Sequence, residues 1–67
     1  MTEHDWRMVM IAGCQICYDG ITYKYIRSIE IEYDRHLHKE RIYLVLQDMR
    51  ANSVTRVSPE KVTVVPL

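Results

Sequence analysis

From Ile21 to Tyr33 the chain alternates apolar and polar residues. Ile21, Tyr23, Tyr25, Ile29, Ile31 and Tyr33 fall on one parity; Thr22, Lys24, Ser28, Glu30 and Glu32 fall on the other. Only Ile26 and Arg27 break the pattern. A period of two is the signature of a strand with one dry and one wet face. Just upstream stands Asp19-Gly20, between Tyr18 and Ile21. Asp-Gly between two β-favouring runs predicts a tight hairpin, because both turn residues then need positive φ. These two features together commit the chain to antiparallel sheet.

The remaining segments are assigned around that hairpin. The dense apolar run from Trp6 through Met8, Val9, Met10, Ile11, Ile16, Cys17 and Tyr18 fits a buried strand or a buried helix equally by periodicity. Gly13 within it favours the strand, as a bulge or bend, since glycine inside a helix costs ~1 kcal/mol relative to alanine. Met1–Asp5 is polar and is expected to fray. Asp34–Glu40 reads as an exposed loop or the tip of a long hairpin. Arg41–Asp48 returns to strand, with Ile42, Leu44 and Leu46 on one face and Tyr43 and Val45 on the other. Met49–Asn52 makes a turn and Ser53–Val57 a short strand. Ser58-Pro59-Glu60-Lys61 starts one 3-10 turn, and Val62–Val65 is the last strand, ended by Pro66. The expectation is an all-β fold, a small five-stranded barrel formed as a single domain from residues 1–67.

The order of these elements resembles the SH3-like small barrels, including their KOW and Tudor-type variants. The resemblance rests on the turn at Tyr18-Asp19-Gly20, the run Tyr23–Ile31 and the closing segment Ser53–Val65, and covers Met8 to Val65. The tight Asp-Gly turn replaces the long acidic and aromatic loop with which signalling SH3 domains read proline-rich peptides, so that activity is not carried over. In brevity and turn pattern the chain is similar to small SH3-like proteins of phages and mobile elements. That likeness implies an accessory or inhibitory binding protein.

At 67 residues a monomer has a thin core, so a partner or self-association is expected. Nine basic and nine acidic residues give no net charge, so any nucleic-acid site must be a local patch. The Met8–Cys17 stretch is too short to span a bilayer and, with Glu3 and Asp5 before it, lacks the basic start of a signal peptide. Two cysteines are too few for a disulfide scaffold. These features lead to the expectation of a cytoplasmic protein.

Three groups of residues invite functional readings. Cys14 and Cys17 form a Cys-x-x-Cys pair and His36 and His38 a His-x-His pair, together an alternative tetrahedral zinc set. Residues three apart on a strand point to opposite faces, however, and cysteine packs as a small hydrophobe, so core packing is the plainer account and no cofactor is expected. Five tyrosines, one tryptophan and no phenylalanine suit a surface that is apolar beneath and polar at its edge. Tyr18, Tyr23, Tyr25 and Tyr43 could form a groove or a cage for a cation. Arg35, His36, His38, Lys39 and Arg41 gather in one loop, with Arg50 and Arg56 farther on. The expected binding residues are Tyr23, Lys24, Tyr25, Arg27, Tyr43, Arg35, Lys39 and Arg41. They serve either a protein partner or, alternatively, a nucleic acid stacked on tyrosine beside the basic loop.

No serine or cysteine stands at a motif spacing from a histidine, no Gly-rich phosphate loop is present, and no pair of buried carboxylates is suggested. The reading is therefore non-enzymatic. The run Ile21–Tyr33 also exceeds an ordinary strand. Either it projects as a hairpin with Arg41–Leu46 or it bends and changes partners. A projecting apolar face would seek a second copy in a weak homodimer, while Glu30 and Glu32 would discourage edge pairing.

Overall fold

The computed structural model describes residues 1–66. They form one helix, α1 (Glu3–Ala12), six strands, and a 3-10 turn (Pro59–Lys61). The strands are β1 (Ile16–Tyr18), β2 (Ile21–Tyr23), β3 (Tyr25–Asp34), β4 (Lys39–Gln47), β5 (Val54–Val57) and β6 (Val62–Val64). They build two antiparallel sheets, ordered β2-β1-β6 and β3-β4-β5. Five strands closing into one barrel were expected; six strands in two sheets that do not close into a barrel are found.

The helix is the largest departure from the sequence expectation. Thr2 caps it: its Oγ1 accepts from the Asp5 N–H at 3.3 Å, and the Asp5 carboxylate accepts from the Thr2 N–H at 2.8 Å. This reciprocal capping box satisfies two donors that a helix start leaves open. Residues expected to fray are thus the anchored start of α1. At the other end Gly13, at φ 70°, turns the chain left-handed and donates to the Met10 carbonyl, while the Cys14 N–H reaches the Val9 carbonyl. Gly13 therefore does not weaken a helix interior; it terminates the helix, the position where glycine is favoured. Trp6, Val9 and Met10 share the face that packs on the core. Met8–Ala12 is helix, and only Ile16–Tyr18 of the expected first strand is strand.

The hairpin at Asp19-Gly20 forms as expected, with φ 52° and 75° and Tyr18 opposite Ile21. The long alternating run then bends at Lys24, leaving one sheet for the other. The Lys24 N–H donates to the Gln47 carbonyl at 2.8 Å across that corner. The interruption at Ile26 and Arg27 is a β-bulge: Ile26 pairs with Leu46, but Ser28 pairs with Val45. A bulge adds one residue and resets the phase, so Ile26 and Ile29 both turn inward. Beyond it β3 and β4 run together to Asp34 and Lys39 as a long hairpin. The Asp34 carboxylate closes its tip by accepting from the N–H groups of His36 and Leu37 at 2.9 and 3.0 Å.

The core lies between the sheets and under the helix. Ile16, Tyr23 and Val62 come from one sheet, Ile26, Leu44, Leu46 and Val57 from the other, and Trp6 from α1. Among the described residues no buried side-chain polar atom lacks a hydrogen-bond partner, and no helix is long and apolar enough to cross a membrane.

Candidate functional site

The eight expected binding residues fall into separate places. Tyr23 is 6% exposed and belongs to the core, so its ring is not a surface for stacking. Lys24 and Tyr25 sit at the corner between the sheets, around a recess shared with Arg50. Arg27 occupies the bulge on β3, facing α1. Arg35 and Lys39 lie at the hairpin tip, and Arg41 two residue pairs inward, 3.5 Å from Asp34. Tyr43 is on the outer face of β4. The eight residues thus do not converge on one groove, although Lys24, Tyr25 and Arg50 share the corner recess.

Tyr43 already has its cation. The Arg56 guanidinium lies 3.7 Å from the ring centroid, and its Nε and an Nη bond Glu30 at 2.9 Å and Glu32 at 3.1 Å. Partial desolvation works against the Arg56 charge, but the hydrogen bonds to Glu32 and Glu30 prevail and raise its pKa. The sequence pattern put Glu30 and Glu32 on the wet face of the strand; their pairing to Arg56 from β5 needed the sheet order to be seen.

The zinc alternative is not assembled. Cys14 and Cys17 flank the passage from α1 into β1, whereas His36 and His38 sit in the turn at the end of the β3–β4 hairpin. Among the described residues no three His, Cys, Asp or Glu side chains are grouped to hold a metal ion. Both cysteines are free thiols, half-buried.

The strand expected to be too long for its barrel, and to present an apolar face if it projected, borders an apolar cleft. Between α1 and β3 lies a cleft of about 500 Å³ lined by Arg7, Met10, Ile11, Arg27, Ile29 and Ile31, with Glu3 at its rim. Ile31 and Tyr33 occupy the same face of β3, two residues apart, and extend the cleft along the hairpin. Ile11, Ile31 and Tyr33 are 75%, 50% and 56% exposed. Opposite Tyr33 on that face stands Glu40, and opposite Ile31 stands Ile42. The hairpin is therefore amphipathic, with isoleucine and tyrosine on one side and the Glu30–Glu32–Arg56 network on the other. Projection and bending, posed as alternatives, occur together: the run bends at Lys24 and its distal half projects. The part played by Ile11 had no precedent in the sequence reading, because it requires the helix.

No protein-family model, curated protein or solved structure matches the chain.

Proposed function

We propose that the chain is a non-catalytic protein-binding module, built on an SH3-like framework and used in an accessory or inhibitory role. The carrying observation is that exposed Ile11 and Ile31 line the α1–β3 cleft, with exposed Tyr33 next to Ile31 on the same face of β3. Exposed apolar surface rimmed by charge is the usual mark of a protein contact. The framework reading draws on the strand orders β2-β1-β6 and β3-β4-β5, the bend at Lys24 and the 3-10 turn leading into β6. Fold alone assigns no function, so the binding reading stands on the surface.

The test is capture with the protein as bait beside an Ile31→Lys variant whose fold is checked by circular dichroism. A protein recovered by the parent and lost by the variant supports the proposal. Labelled DNA and RNA oligonucleotides provide the contrasting arm. The proposal expects flat anisotropy curves even at low salt, where phosphate contacts are strongest. Salt-sensitive oligonucleotide binding, with no protein captured, would overturn it.

A further inference from the structure

We propose that the corner recess at Lys24, Tyr25 and Arg50 is a binding site for a small organic acid, held by its carboxylate. The recess shares no residue with the α1–β3 cleft, and the proposal does not depend on the protein-binding reading. Its volume is about 270 Å³, below the range of pockets that take drug-sized ligands. Two cations line it. Arg7, Arg41 and Arg56 each have a carboxylate partner, whereas Lys24 and Arg50 make no ion pair among the described residues. Tyr25, 37% exposed, lines the same recess and brings a phenol that can donate.

The walls are held in shape by bonds of their own. The Lys24 N–H donates to the Gln47 carbonyl at 2.8 Å, and the Asp48 N–H to the Ser53 carbonyl at 3.1 Å. The Gln47 side-chain amide donates to the Ala51 and Ser53 carbonyls at 3.0 and 3.3 Å. These bonds close the turn between β4 and β5 on itself and tie β4 to the corner. Little ordering is then left for a ligand to bring about, which favours binding.

Charge selects the ligand. Asp48 also lines the recess, and its carboxylate accepts from the Ser53 hydroxyl. Lys24 and Arg50 against Asp48 leave a single net positive charge, which a monoanion neutralises and a phosphate dianion exceeds. A carboxylate also matches the planar fork of the Arg50 guanidinium, with Lys24 as a second, point-like donor. A polyanion finds no path onward. On the far side of the turn the next recess is lined by Ile21, Thr22, Met49 and Thr55, again with Asp48 and Arg50, and adds no further cation. Ile21 and Met49 are 55% and 41% exposed there, an apolar bed for a short chain whose carboxylate sits on Arg50.

Amide NMR titration with hexanoate tests the site, beside hexanol and phosphate dianion, on the parent and on Lys24→Gln and Arg50→Gln. Hexanoate should shift the amides of Lys24, Tyr25, Met49 and Arg50 saturably, with a Kd on the order of 1 mM for so small a ligand. Each substitution should weaken it about tenfold by removing one charge-assisted contact. Both side chains are exposed, so urea midpoints equal to the parent's will show that the variants keep the fold. Hexanol and phosphate should each bind about tenfold more weakly than hexanoate, the first lacking the charge and the second exceeding it. The inference is overturned if hexanoate gives no saturable shift at the corner, or if both variants bind it like the parent. It is equally overturned if hexanol or phosphate binds as tightly as hexanoate. None of these outcomes touches the α1–β3 cleft, which protein capture tests separately.

Discussion

Replacing Trp6 with alanine should detach α1 from the sheets. Trp6 is 3% exposed and is the one fully covered side chain of the helix. Removing a buried tryptophan costs about 3–5 kcal/mol, combining lost transfer energy with the cavity left behind. Against this stands a total of ~3–10 kcal/mol for a domain of 67 residues, from ~0.05–0.15 kcal/mol per residue. The substitution therefore removes between a third and all of the stability. Ile11→Ala on the same helix is the matched control, since Ile11 is exposed and such changes usually fall within ~0.5 kcal/mol. Urea titration followed by far-ultraviolet circular dichroism measures both. With a slope of about 1 kcal/mol/M, the Trp6→Ala midpoint should fall by several molar or the protein should start unfolded, while Ile11→Ala barely moves. Equal midpoints for the two variants would refute the account of how the helix is held.

Three further outcomes follow from the helix ends. Thr2→Ala should cost about 1 kcal/mol by removing the N-cap acceptor, read from the same titrations; no change would show that the cap is not formed in solution. The Asp5 carboxyl is held below its ordinary value of 3.8 by the hydrogen bond from the Thr2 backbone N–H, with the Thr2 side chain adding to it. A lowered folded-state value means stabilisation that is complete above 3.8 and lost as pH falls through the folded value. The Thr2 amide signal in NMR should shift in that acid window, and an amide indifferent to it would contradict the capping box. Gly13→Ala meets no neighbouring atom but must adopt φ 70°, so it should destabilise by ~1–2 kcal/mol from backbone strain alone; a neutral effect in urea titration would show that the helix does not end there.

The sheet was legible because its signals are local. Asp19-Gly20 specified its turn, and the alternation of Ile21–Tyr33 specified its faces. Even the break at Ile26 and Arg27 marked the bulge, although a break in period does not reveal where the chain changes sheets. The helix was missed for an identifiable reason. Gly13 was weighed as an interior residue, and Thr2-x-x-Asp5 ahead of an apolar run, a capping signal, was read as a loose end. The binding surface was legible only in half. Ile31 and Tyr33 stood out as apolar residues beyond the reach of a small core. Ile11 and Arg27, which complete the surface, join them only once α1 lies along β3. Tyr43 and Arg56 meet across neighbouring strands, a pairing set by register and not by spacing in the chain.

The central claim is that a protein partner is bound on the inner face of the hairpin and α1. The most direct measurement is a backbone amide NMR spectrum of the labelled protein recorded as a captured partner is titrated in. The account predicts shifts at Ile11, Arg27, Ile31 and Tyr33, with Tyr43, Arg56 and the Lys24–Tyr25 corner unmoved. Shifts confined to Tyr43 and Arg56, or to Lys24, Tyr25 and Arg50, would place the contact on another face and contradict it.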